Sequence, residues 1–231
     1  MPDYRYTYLL MGGLFFIVWL ILFLIRKDTR REMLLMSLIF GLAGPLTDVL
    51  YYKDWWSPLT VTNSVISFEA FFVGFSLGGI ISVLYEEIFK DHLREKRRDK
   101  RRKRIDTETF LIILIIMGVI FFGSYFLLGL NSLIATILAM TIPTLFIWFK
   151  RKDLMKVSLL SGVLTLSLAV MVYSLLDLIT PDWVNVFWHF KNVPTLIILN
   201  VPIDDIIWYF LAGCLIAPLY PFWHEGKLIK I

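Results

Sequence analysis

Seven apolar runs divide the chain, at Tyr8–Ile25, Met33–Tyr52, Asn63–Phe89, Thr109–Leu128, Asn131–Phe149, Val157–Thr180 and Pro194–Phe222. Each has about the 20 residues that a helix needs to cross a bilayer core, and none contains Lys or Arg. Lipid offers backbone groups no hydrogen-bond partners, so runs of this kind must fold as helices. A soluble core does not explain the pattern: 58% of the 231 residues are hydrophobic and the mean hydropathy is +0.73, far above a soluble domain. The first run is long, follows Asp3 and Arg5, and lacks a small-residue cleavage site. It therefore reads as a retained helix and not as a signal peptide.

The cationic residues set an orientation. With the N-terminus outside, cytoplasmic segments hold four bases between Arg26 and Arg31, ten between Lys90 and Arg104, four between Lys150 and Lys156, and Lys227 and Lys230. Only Arg5, Lys53 and Lys191 fall on the other side, a positive-inside bias that predicts a cell-membrane protein with N-terminus out and C-terminus in. The net charge of +4 does not point to nucleic acid, because the bases sit in short clusters between apolar runs. These basic loops suit anionic lipid headgroups, each base near such a surface contributing about 1 kcal/mol. The run from Lys90 to Arg104 is expected to extend the third helix into the cytoplasm.

Carboxylates inside the apolar runs carry the functional signal. Asn200–Tyr220 sets Asp204 and Asp205 side by side in a segment apolar enough to span; a charge near mid-membrane costs roughly 2.5–3.5 kcal/mol on insertion scales, which makes such acids functional candidates. Upstream, Ser67-Phe68-Glu69-Ala70 through Gly78 to Tyr85 matches Pro202-Ile203-Asp204-Asp205 through Gly213 to Tyr220. Ile25-Arg26-Lys27-Asp28 pairs with Lys150-Arg151-Lys152-Asp153, and Asp48 before Lys53-Asp54-Trp55 pairs with Asp177 before Pro181-Asp182-Trp183. Two parallel copies of a three-helix unit require an odd connecting helix. The expected fold is therefore an all-α polytopic membrane protein, seven transmembrane helices in a 3+1+3 parallel tandem repeat. Its parts are residues 1–90, a basic cytoplasmic linker with helix four over 91–130, and 131–231.

Helix direction then places Asp48, Glu69, Asp177 and Asp204 in the outer half, with Asp205 turned about 100° from Asp204. Pro45, Pro202 and Pro218 loosen the backbone nearby. Hydrocarbon disfavours the charged form of a carboxyl that lacks a cationic partner, which makes it a potential proton donor to an apolar substrate. Phe68, Phe71, Phe72, Trp208 and Tyr209 are placed to steady a developing carbocation by cation–π attraction, or simply to pack helices. Trp55, Trp56, Trp183 and Trp188 fit an interfacial aromatic belt.

Pro202-Ile203-Asp204-Asp205, following Asp182-Trp183 and opening the last helix of a three-helix repeat, resembles the proline, any residue, Glu, Glu motif of the membrane-integral lycopene (carotenoid) cyclases, in their fused tandem form. Asp replaces both glutamates in the second copy; the first keeps only Glu69 and lacks the proline. A shift of about an angstrom in a proton donor can cost about a hundredfold in rate. The resemblance implies that a carotenoid from the bilayer is cyclised without net redox change. A carboxylic acid protonates the terminal double bond, the neighbouring alkene closes a six-membered ring, and a base removes a proton. It implies Asp204 or Glu69 as acid, with Asp205, Asp48 and Asp177 as orienting groups or proton acceptor, and demands no cofactor.

Three other readings use the same features. A small proton-coupled transporter of the SWEET type shares the 3+1+3 layout, but its Pro-Gln signature is absent. A retinal protein requires a span lysine, and no span has one. A family member that binds carotenoid without turning it over fits the altered first motif. Cys214 is the single cysteine, and His92, His189 and His224 show no ligand spacing and read as surface or interface residues, so no metal site is expected. The sequence sets no oligomeric state.

Overall fold

The computed structural model describes residues 3–94, 100–191 and 196–230. Among them, seven helices are long and apolar enough to cross a membrane, which makes this an integral membrane protein. A short 3-10 turn leads into α1 (Thr7–Ile25), followed by α2 (Arg30–Asp54), α3 (Phe68–Phe89), β1 (Asp91–Arg94), α4 (Lys100–Phe126), α5 (Ser132–Lys150) and α6 (Leu154–Ile179). The short α7 (Trp183–Phe187), a hairpin of β2 (Ile197–Ile198) and β3 (Val201–Pro202), α8 (Ile203–Trp223) and β4 (Lys227–Lys230) complete the chain.

Local chemistry moves several boundaries from their expected places. Ser67 Oγ accepts from the Ala70 backbone N–H at 3.1 Å, capping α3, so Asn63–Ser67 form loop and not span. Asn131 caps α5 in the same way, accepting from Ile134 N–H at 2.8 Å. The last apolar run does not begin a helix at Pro194, which lies outside the described residues: Ile197–Pro202 form the hairpin, with Leu199 and Asn200 both at positive φ in its tip, as a tight two-residue turn requires. Pro202 accordingly ends β3 instead of loosening a helix. The basic run does not continue α3, which stops at Phe89 with Lys90 at φ 54°. Residues 95–99 of that run lie outside the described set, and from Lys100 onward it forms the first turns of α4.

Two compact units emerge, each drawing on both halves of the chain. The first comprises residues 1–80 and 166–209, the second 81–165 and 210–231. In the first, α2 and α3 cross closely because glycines remove the side chains at the contact: a Cβ on Gly78 would lie 2.6 Å from the Met36 carbonyl oxygen, and Gly44 and Gly74 face backbone equally tightly. In the second, Gly213 makes the matching crossing, its Cβ direction meeting the Ser161 carbonyl at 2.5 Å, and Gly162 faces Phe210. Such small-residue seams drive helix association where lipid removes the hydrophobic difference. Gly78 and Gly213 are the pair matched by the sequence repeat, and each makes a backbone-to-backbone crossing with the helix before it. The second unit also pairs β1 with β4 antiparallel. Its His224 is buried and stacked on Tyr220.

Candidate active site

The first unit holds two carboxylates around one cavity. Asp48 stands near the end of α2, and Tyr8, in the first turn of α1, donates its hydroxyl to Asp48 Oδ2 at 3.0 Å. Asp205 lies in the first turn of α8. Its Oδ1 accepts from Trp55 Nε1 at 3.2 Å and its Oδ2 from the Tyr173 hydroxyl on α6. One helical turn further, Trp208 Nε1 donates to the Tyr51 hydroxyl at 3.3 Å. Tyr209 meets Tyr173 edge to face at 5.9 Å. Asp48, Asp205, these rings and the apolar side chains of Met11, Val73 and Leu77 border a cavity of about 80 Å³. Among the described residues, no lysine or arginine lines it.

Aromatic hydroxyls and indoles thus do the work that a cation does elsewhere. A buried carboxylate is costly unless its oxygens are engaged, and each hydrogen bond to a charged group contributes about 1.5–3 kcal/mol. Two helices, α1 and α6, and the end of a third, α2, supply those donors. The cavity is apolar on its α3 side and polar where the two acids, Thr47 and the phenols sit, which favours an apolar ligand met by a few placed polar groups.

The remaining expected residues stand elsewhere. Asp204 is buried, and its Oδ1 accepts from the Asp205 backbone N–H at 3.0 Å; it does not border the cavity. Glu69 is buried too, with Oε1 accepting from the Val61 backbone N–H at 2.8 Å in the loop before α3. Asp177 accepts from Asp182 N–H at 3.1 Å at the end of α6. Trp208 and Tyr209 line the cavity, whereas Phe68, Phe71 and Phe72 form a row of rings along α3 with Phe75 and do not border it. Phe68 is 63% exposed.

The tryptophans depart from the belt expected for them. Trp55, Trp183 and Trp188 are 2%, 0% and 5% exposed, and Trp56 packs edge to face on Tyr8 at 4.8 Å and tilted against Trp188 at 5.1 Å. Trp55 and Trp56 border the cavity that holds the acids and Trp183 packs on Tyr173, because the loops after α2 and α6 fold back: Trp56 bridges to Trp188, and His189 N–H donates to the Trp55 carbonyl. Tyr8, Tyr51 and Tyr173 are site residues that sequence reasoning passed over. Their signal was present, a phenol in an apolar run at the depth of an acid, yet nothing in one dimension tells a hydrogen-bonding tyrosine from a packing one.

Ala70, Val73, Gly74 and Leu77 present one face of α3 to the cavity, and Asp205, Trp208 and Tyr209 present one face of α8. In the register that pairs Ser67–Ala70 with Pro202–Asp205, Ala70 corresponds to Asp205. The first copy therefore offers a methyl group where the second offers a carboxylate. Among the described residues, no three His, Cys, Asp or Glu side chains are grouped as a metal-ligand set.

Residues 131–223, from the N-cap of α5 through α8, match the family model described as lycopene cyclase. The matched segment contains Tyr173, Asp204 and Asp205 and excludes Tyr8, Asp48 and Glu69. No curated protein and no solved structure gives a significant match to the chain.

Proposed function

We propose that this protein is a carotenoid cyclase that closes a six-membered end ring on a linear, lycopene-type substrate drawn from the membrane. Asp48 is the general acid and Asp205 the proton acceptor. Tyr8 engages one oxygen of Asp48, and the other carries the proton that is delivered to the terminal double bond. The resulting cation is attacked by the neighbouring alkene, which forms the ring bond and moves the charge onto the ring. Loss of a ring proton to Asp205 restores a double bond, so atoms and electrons balance without a redox partner. Tyr173 and Trp55 hold Asp205 in place. The faces of Tyr51, Trp208 and Tyr209 steady the cation, each such contact contributing about 0.5–2 kcal/mol. Asp204 and Glu69, which do not border the cavity, have supporting parts.

The observation that carries this reading is the convergence of two carboxylates from different helices on one apolar, aromatic-lined space, in a chain whose residues 131–223 match the lycopene cyclase family model. A volume of about 80 Å³ suits one end of a long chain and not its whole length. The substrate then lies mostly in lipid, and each end is processed in a separate visit. The test is expression in a host that accumulates lycopene. Ringed carotenoid is the expected outcome; an unchanged pigment profile from well-inserted protein overturns the enzymatic role and leaves a carotenoid-binding one.

A further inference from the structure

Glu69 is the acid that the sequence repeat sets against Asp204, yet its carboxylate is occupied elsewhere. It accepts from the Val61 backbone N–H at 2.8 Å and lies outside the cavity lining. Val61 belongs to the strap Ser57–Ser67 that joins α2 to α3. The strap has its own internal fastening: Thr60 Oγ1 donates to the Ser64 carbonyl at 3.1 Å and accepts from Ser64 N–H at 3.0 Å. Asn63, at φ 53°, donates its N–H to the Thr60 carbonyl at 3.1 Å. At its start, Ser57 N–H donates to the Phe187 carbonyl at 2.8 Å.

What the strap covers is Asp48. Pro58, Thr60, Ser64 and Val65 close over that carboxylate together with Tyr52 and Trp56, leaving a gap of about 10 Å³, the space of one water at most. Val61 and Ile66 on the strap are exposed, so the far side is not wedged in place by packing of those side chains. The Glu69 contact ties the middle of the strap to the first turn of α3.

We infer that Glu69 is a positioning residue, a latch that holds the 57–67 strap over Asp48 and keeps water from the cation formed beside it. This rests on the cyclase reading for its chemical consequence but not for its structural one. A tertiary carbocation reached by water forms a C–O bond and releases a proton, giving an alcohol one water heavier than the substrate, where the dry site gives only the ring. Excluding water from reactive intermediates is a recognised function of closed sites. Here the closure is permanent, made by a loop tied to the start of the next span.

Three variants test the latch, in purified protein and in the lycopene-accumulating host. Glu69→Gln retains a side-chain oxygen acceptor for Val61; it is expected to keep ring formation within about twofold and to leave hydrogen exchange over 57–67 as in the wild type. Glu69→Ala removes the acceptor and is expected to speed that exchange about tenfold and to divert product to the hydrated alcohol. Thr60→Val loosens the strap without touching Glu69 and is expected to do both more weakly, which covers the case of an unstable Glu69→Ala protein. Loss of ring formation in Glu69→Gln with unaltered exchange makes Glu69 the proton donor and overturns the inference. Unaltered exchange in Glu69→Ala and Thr60→Val overturns it as well. Should no variant, nor the wild type, form a ring, the cyclase reading fails while the exchange comparison still decides the latch.

Discussion

Asp205 shows how much a single side chain here depends on its neighbours. Its two oxygens accept from Tyr173 and Trp55. Tyr173→Phe removes one of those bonds, so ring formation is expected to fall about ten- to a hundredfold, the equivalent of one hydrogen bond to a charged group. Tyr8→Phe should act likewise through Asp48. Both are measured as ringed product per mole of folded protein, with the elution profile in detergent as the check on folding; rates within twofold of wild type would remove the phenols from the mechanism. Asp205→Asn and Asp48→Asn keep shape but cannot exchange a carboxyl proton, and each is expected to abolish the product. Their acidic character was legible in the sequence. Which of five acids reach the cavity was not, since Asp204 and Asp205 differ by one residue in the chain and by about 100° around the helix.

Helix pairs carry the next level of specification. The glycines at the α2–α3 and α6–α8 crossings have no space for a side chain, whereas Gly118 and Gly123 on α4 have nothing within 4 Å of an added Cβ. Gly213→Leu and Gly78→Leu are therefore expected to lower the thermal unfolding midpoint in detergent markedly, since overpacking typically costs about 1–3 kcal/mol and backbone contact more. Gly118→Leu should leave it nearly unchanged. A similar drop for all three would mean that glycine content, not the crossings, governs stability. The existence of these helices followed from hydropathy alone, and their ends did not. Ser67, Asn131 and the Leu199-Asn200 turn decide where loop becomes helix by hydrogen bonds that a hydropathy run does not register. The tryptophans passed from expected belt to observed wall for the same reason. A sequence gives their depth in the membrane, and the fold of the connecting loops determines the direction they face.

For the whole molecule, the distribution of bases predicts a cytoplasmic C-terminus. A C-terminal green fluorescent protein fusion is expected to fluoresce and an alkaline phosphatase fusion in the same place to be inactive; the reverse pair of results would invert the topology and put Asp48 and Asp205 toward the cytoplasmic side. What the amino-acid order determined by itself was what depends on solvent transfer: seven helices long and apolar enough to cross a membrane, because hydropathy is a property of local composition. Tertiary structure alone decided which carboxyls share a cavity. That choice turns on helix rotation, on glycine seams that bring backbones together, and on loops folding back over Asp48; the hydrogen bonds that frame the cavity join residues 40 to 157 positions apart, which no local pattern encodes.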